Sequence, residues 1–430
     1  MKEIFAYLNI PVYVVMFLVL YYQVFLLISF FDSFSHRKRA EETLKQYDRD
    51  SKDAPTVTIF VPCYNEEETI IPTIESLLRS NYPKDKLDVL VVDDGSKDST
   101  YALVEKYIEE HPEHTNLRVV TKPNGGKHSA LNLGLSMTDS EIVGCLDADS
   151  FADQEAIAEL VKLFADPKVV AVTPSMKVWN PRNMLQQIQK VEYDVGIFLR
   201  AALSFINGIY VTPGPLSVFR KSLFDEIGGY KKAHNAEDLE MALRIQYNGK
   251  KIANSTKAFV YTVTPDNIPA LIKQRVRWSQ GFLRNSYDYR SMVFNPKKGN
   301  LGIIVLPMSI LMVFFSIYAF FLMVGTILWS LAEKIMQVYF SGGFHFVPFS
   351  FSNIKWTWFA ISASWIVFIM YAATAVSLAV TLLGRKMSNG KFNIFSKDLW
   401  LFTLAYGFIA PLWLTKTVFE VVTKKQNKWK

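Results

Sequence analysis

"TVTIFVPCYNEEETIIPTIESLLRSNYP", residues 56–83, runs from a β-branched apolar stretch through an acidic turn into a segment with the apolar spacing of a helix, ending before Pro83. The pattern then recurs. "LDVLVVDDGSKDSTYALVEKYIEEH" (87–111) and "LRVVTKPNGGKHSALNLGLSMT" (117–138) are again strand, polar turn and helix, and "EIVGCLDADS" (141–150) adds a fourth strand. Strand and helix alternating at this length predict a parallel sheet with helices on both faces. In such sheets ligands bind beyond the carboxyl ends of the strands. That rule gathers four loops into one place: "YNEE" (64–67), "DDGS" (93–96), "NGGK" (124–127) and "DAD" (147–149). No G-x-G-x-x-G follows the first strand and no P-loop pattern occurs, which excludes the usual dinucleotide and P-loop fingerprints.

Working outward, the 430-residue chain is half hydrophobic, but unevenly so. Residues 5–31 carry no charge and are followed by "HRKR", a run longer than the roughly 20 residues needed to cross a bilayer. It is too long for the core of a signal peptide, and no small-x-small cleavage site precedes the charges. Three further apolar runs lie at about 301–329, 355–383 and 399–422. The expected organisation is an N-terminal membrane anchor (1–35), a cytosolic domain (36–298) and a C-terminal transmembrane region (299–430). Basic residues beside the spans ("HRKR" at 36–39, "GRK" at 384–386) place them, and the domain, on the cytoplasmic side of a multi-pass cell-membrane protein. The loop 330–353 then falls outside. Four spans would put the basic tail "KKQNKWK" outside as well, against the same rule. Either the last run, broken by Pro411, is re-entrant or interfacial, or the count of spans is off by one.

The net charge of +7 fits this topology and contact with anionic lipid better than a nucleic-acid surface. Cys63 and Cys145 sit in apolar strand-like runs and offer neither a disulfide framework nor a zinc spacing. The acidic loops are the chemical signal. Glu66, Asp93, Asp94, Asp147 and Asp149 would repel one another and any phosphate unless a divalent cation lay among them. Hard carboxylate oxygens suit Mg²⁺ or Mn²⁺ completed by substrate phosphates. Lys127 would add positive charge, Tyr64 a surface on which a base stacks, and Asp93 or Asp94 an acceptor for a uracil imide or ribose. Each loop taken singly is also an ordinary turn.

"VPCYNEE", "VVDDGSKDST", "NGGKHSALN" and "LDADS", followed by "AEDLEMALRI" (236–245) and "QRVRW" (274–278), resemble the motifs of family 2 inverting glycosyltransferases. With the flanking apolar runs the set resembles the processive, membrane-embedded synthases of cellulose, chitin, hyaluronan and poly-N-acetylglucosamine, the last most closely. The resemblance implies an α/β GT-A domain, a Rossmann-like mixed sheet, flanked by transmembrane helices. It implies metal binding by Asp149 and Asp147, with Asp147 a ribose contact in the alternative. The uridine would be held by Tyr64, Glu66, Lys127 and Asp93 or Asp94. It makes Asp238, in the family's T-E-D motif, the general base. Ala236 stands where that motif has Thr. Asn235 and Asp238 also look like an imperfect capping box. Gln274, Arg277 and Trp278 of the Q-x-x-R-W motif would serve the diphosphate and acceptor, although the same residues suit a helix at the bilayer surface. Gly214, in "YVTPGPLSVFRKSLF" (210–224), would leave room for the growing chain.

The function so implied is transfer of a sugar, UDP-N-acetylglucosamine being the expected donor, to a growing glycan that the spans export. An accessory membrane subunit is a further partner. Trp329, Trp356, Trp358, Trp365, Trp400 and Trp413 are candidates for lining the glycan's path. Two other readings are a non-processive transferase adding one sugar to a lipid or lipid-linked acceptor, and a non-catalytic membrane subunit that binds a nucleotide-sugar. "QRVRW" speaks against the first, and Asp147, Asp149 and Asp238 against the second.

Overall fold

A computed structural model describes residues 2–45, 54–340 and 365–423. A long helix α1 (Lys2–Lys45) leads to the domain. There follow β1 (Val57–Cys63), α2 (Ile70–Leu78), β2 (Leu87–Asp93), α3 (Thr100–Glu110), β3 (Leu117–Thr121), α4 (Lys127–Ser136) and β4 (Ile142–Cys145). The second half contains β5 (Ser150–Ala152), α5 (Ala156–Val161), β6 (Val169–Val178), α6 (Met184–Phe205), β7 (Val218–Arg220), α7 (Lys221–Ile227), α8 (Glu237–Tyr247), β8 (Lys251–Thr262) and α9 (Ile268–Asp288). After α9 come α10 (Leu306–Phe340), α11 (Trp365–Asn389) and α12 (Lys397–Val422).

The eight strands form one sheet in the order β3-β2-β1-β4-β7-β6-β8-β5. The first four strands pair in parallel, as their βα spacing requires. β7 then enters antiparallel between β4 and β6, and β5 closes the far edge antiparallel to β8. The sheet is therefore mixed, as expected of a GT-A domain, and only its first half is the all-parallel layer that alternation alone implies. β1 shows why its strands are largely apolar. Val57, Ile59 and Val61 pack against α2 and α5, whereas Phe60 points to the other face, towards α4 and α6. A strand buried on both sides is apolar on both, and the one buried hydroxyl of β1, that of Thr58, is hydrogen-bonded to Thr138 Oγ1 at 2.7 Å and Ser140 Oγ at 2.8 Å.

The face that carries α6 also carries the membrane-like helices. Asn183 caps α6, accepting from Gln186 N at 2.9 Å. Phe30 of α1 packs on Phe198 and Phe205 of α6, with ring centroids 4.9 and 6.3 Å apart. Arg385 at the end of α11 approaches Asp194 of α6 at 3.9 Å. Among the described residues, four helices are long and apolar enough to cross a membrane: Ile10–Asp32, Leu301–Phe340, Phe368–Asn389 and Lys397–Val422. The second continues to Phe340, so residues 330–340, expected in a loop, are helical, and 341–353 lie outside the described residues. The expected break at Pro411 is absent. α12 runs through it, and the carbonyl that the proline ring would crowd belongs to Gly407, which adds no side chain of its own.

Gly144 lies where β4 passes between its neighbours. A Cβ there would stand 2.7 Å from Val218 Cγ1 and 2.9 Å from Ile59 Cδ1, both buried. Gly144→Ala should therefore destabilise the domain by about 1–3 kcal/mol, read as a lower thermal midpoint of the solubilised protein. Gly325→Ala, with nothing within 4 Å, should not lower it.

Candidate active site

Cys63, Asp93 and Thr121 stand side by side in the register of β1, β2 and β3, so the loops that follow them start level. Asp93, buried, accepts hydrogen bonds from Ser96 N at 3.2 Å and Thr121 Oγ1 at 2.8 Å. Asp94, also buried, accepts from Lys122 Nζ at 2.7 Å, Gly125 N at 3.0 Å and Gly126 N at 2.7 Å. Each carboxylate thus pins the neighbouring loop, and charge-assisted bonds of this kind are the strong ones. Gly95, at φ +74°, makes the turn between them possible, because a Cβ would lie 3.0 Å from Asn124 N. On the other flank Asn65 accepts from Lys97 N at 2.8 Å, and Glu66 N donates to Thr100 Oγ1 at 2.8 Å. Tyr64 is half-buried beside them.

The second half of the site is built on Lys127. Its ammonium sits 2.5 Å from Asp147 Oδ1 and 3.2 Å from Glu237 Oε1. Burial works against its charge, but Asp147 and Glu237 hold its pKa well above the usual lysine value. Gly214 crosses directly over this pair; a Cβ there would be 2.6 Å from Lys127 Nζ and 2.9 Å from Asp147 Oδ2. Asp149, two residues on, accepts from Ser150 Oγ at 3.2 Å. Its pKa is pushed up to about 6, first by burial and then by the carboxylates of Asp147 and Glu66. These hard oxygen donors, crowded enough to repel, fit a divalent cation. No cluster of three or more His, Cys, Asp or Glu suited to a metal occurs among the described residues, so Asp147 and Asp149 would be the protein's share of such a site.

Asp238 opens α8 and lines a narrow cavity with Lys127, Gly214 and Glu237. Burial and the Glu237 carboxylate push its pKa up to about 6, against the pull of Lys127, Leu239 N and Arg277. The residue at the N-cap is Ala236, and Asn235 belongs to the preceding 3-10 turn. The Asp238 carbonyl accepts from Thr212 Oγ1 at 2.7 Å, which ties loop 210–217 to the helix that carries the carboxylate.

α9 brings in the "QRVRW" residues. Arg277 is partly buried and close enough to Asp238 to lower its pKa. Gln274 Oε1 is buried and has no hydrogen-bond partner among the described residues. Trp278 is exposed on one side, while the Arg275 guanidinium lies 4.4 Å from its ring and pairs with Glu192 at 2.7 Å.

The acidic loops do come together: Glu66 and Asp147 both act on Asp149. The cations are distributed otherwise than their positions in sequence suggest. Lys122 serves Asp94, while Lys127 serves Asp147 and Glu237. Neither Lys122 nor Glu237 was singled out by sequence, although Glu237 stands inside the "AED" triplet. Both thiols, Cys63 and Cys145, are buried and have pKa values pushed up by burial, and Cys145 lines the cavity beside Lys127 and Asp238. Of the tryptophans considered for a glycan path, Trp413 is buried, Trp329 and Trp400 are exposed, and Trp356 and Trp358 lie outside the described residues. Trp365 is the first residue of α11.

Residues 58–228 match the family model described as Glycosyl transferase family 2. The chain is 32% identical over 228 residues to poly-β-1,6-N-acetyl-D-glucosamine synthase of Staphylococcus aureus (strain COL), covering 52% of this chain and 54% of that one. It is 31% identical over 229 residues to the synthase of the same name from Staphylococcus epidermidis, with the same coverage. The alignment thus spans about half the length of these curated relatives. Among solved structures, a mannosyltransferase from Pyrobaculum calidifontis in complex with GDP-Man and Mn²⁺ superposes with a TM-score of 0.57 over 95% of this chain and 99% of that chain. At 21% identity that likeness establishes the fold and nothing further. Residues 58–228 are therefore similar in sequence to glycosyl transferase family 2, and they lie in a domain with the GT-A fold, set among helices long and apolar enough to cross a membrane.

Proposed function

We propose that this chain is an inverting β-glycosyltransferase that moves a hexose, N-acetylglucosamine for preference, from a UDP-sugar to a growing glycan and passes the product across the cell membrane. The observation that carries the reading is the placement of Asp238. Its carboxylate lines the same cavity as Lys127, with Asp147 on the other side of that lysine. The preference for N-acetylglucosamine rests on the staphylococcal relatives and their names.

In this reading the uridine lies in the cleft between Tyr64, Glu66 and the loops pinned by Asp93 and Asp94. Asp147 and Asp149 would hold Mg²⁺ or Mn²⁺, which when bound would supply the positive charge that a diphosphate leaving group needs. Asp238 accepts the proton of the acceptor hydroxyl as that oxygen bonds to the anomeric carbon and the bond to the diphosphate breaks on the opposite face. One displacement inverts the centre, and no covalent enzyme intermediate is needed. Its raised pKa suits the task, since a base poised nearer neutrality gives up less driving force while remaining ionised. Arg277 adds positive charge beside the diphosphate, and Trp278 offers an apolar face to a sugar ring. Gly214 keeps the approach to Asp238 open. Beyond the cavity the Gln23 amide of α1 donates to Ser377 Oγ of α11 at 3.0 Å, a polar contact inside the helix bundle in keeping with a glycan path.

The test is transfer by purified, solubilised protein from a panel of labelled UDP-sugars with Mg²⁺ or Mn²⁺, followed by sizing of the product. A long polymer from UDP-N-acetylglucosamine, abolished by EDTA, is expected. Addition of a single sugar to a supplied lipid acceptor would replace this reading with the non-processive one. Asp238→Asn should lower kcat by about 10²–10⁴-fold while donor binding, followed by calorimetry, persists. At saturating donor and metal, kcat should rise with pH to a plateau above about 6 as Asp238 ionises, and fall tenfold per unit below it. A flat profile between pH 5 and 8 would remove Asp238 from the proton transfer.

A further inference from the structure

α12 differs from the other three membrane-like helices in how it meets the domain. In α1 the buried side chains of the candidate span are Tyr22, Leu26 and Phe30, all in its domain-proximal half. In α10 they are Leu306 and Pro307, at its first residues, and α11 is buried only from Val380 onwards. Each of these is a rod fastened at one end. α12 is fastened along its length. Near its start Asp398 pairs with Arg385 at 2.7 Å, beside Asp194 of α6. Midway, Tyr406 hydrogen-bonds Glu192 of α6, the same carboxylate that holds Arg275 of α9. Near its end Gln280 of α9 donates to Glu420 at 2.5 Å, and Glu420 and Thr417 are buried.

Asp398 and Glu420 are 22 residues apart, which is about 33 Å of helix at 1.5 Å per residue. The hydrocarbon layer is about 30 Å thick. A helix crossing it could not return both ends to one water-facing domain. The sides of α12 agree. Tyr406, Trp413, Thr417 and Glu420 share one side, against the domain, while Trp400, Leu404, Phe408, Leu412 and Phe419 are exposed on the other. An apolar stripe lying opposite a docked polar side is the pattern of a helix in the plane of the interface.

We infer that α12 does not cross the membrane but lies between the family 2 domain and the lipid, its exposed stripe bedded in the same leaflet that α1, α10 and α11 enter. The inference rests on the membrane reading above. Three crossings then return Thr423, the last described residue, to the domain's side, the side on which a basic sequence such as "KKQNKWK" is expected. This removes the conflict between the basic tail and a count of four spans. It also gives α9 a floor, because the helix that carries Gln274 and Arg277 is pressed between the domain and α12.

Impermeant maleimide labelling of the full chain in intact and permeabilised cells tests the topology, the two native cysteines being buried. Glu110→Cys on the domain and Phe340→Cys at the far end of α10 serve as the two references. Thr423→Cys should label from the same side as Glu110→Cys; labelling from the side of Phe340→Cys would overturn the inference. If the two references themselves label from one side, the membrane-spanning reading fails and this inference with it. Spin labels at Leu404→Cys and Phe419→Cys, about 22 Å apart along the axis, should report one bilayer depth in vesicles. Depths differing by most of that length would also overturn it.

Discussion

The ammonium of Lys127 is the point at which the site is joined. It begins α4, reaches Asp147 just past β4 and Glu237 in the first turn of α8, and lies under the backbone of Gly214. Four segments distant in sequence are therefore held at one charge. A buried cation with two carboxylates is stable only while both remain, since breaking such a pair leaves an uncompensated charge at a cost of about 3–5 kcal/mol. The consequence is geometric. Asp238, one residue from Glu237, cannot shift without disturbing the lysine that also positions Asp147.

The same economy of position explains the two raised carboxylates. Asp149 and Asp238 are each shielded from water and each faced by another acid, Asp147 and Glu66 in the first case and Glu237 in the second. Lys127 acts on both, yet its charge is already divided between Asp147 and Glu237. Two carboxylates with similar proton affinity therefore act with one cation between their surroundings, and different neighbours face each. Asp149 faces Asp147 and Glu66, whereas Asp238 faces Glu237 and the helix of Arg277.

Much of this was legible in order rather than in contact. The three strand-turn-helix units, the strand leading to Asp147 and the apolar runs are local patterns, and each appears where its periodicity places it. β7 was not legible in that way. Three residues give no period, and their antiparallel place between β4 and β6 is settled by pairing with strands far away in the chain. Pro411 misled for a related reason. A proline weakens a helix locally, but α12 is held by Trp413, Thr417 and Glu420 packed against other elements.

The sequence by itself determined the first four strands and the helices between them, that four polar loops would meet at the strand ends, and which runs would seek an apolar surrounding. Those properties follow from the spacing of apolar side chains over a few turns or a few residues. Only the tertiary structure decided that Lys122 serves Asp94 and Lys127 serves Asp147, and that Glu420 meets Gln280 across 140 residues. Charge pairing is set by distance in space, and spacing along the chain carries no record of it once the chain has turned back on itself.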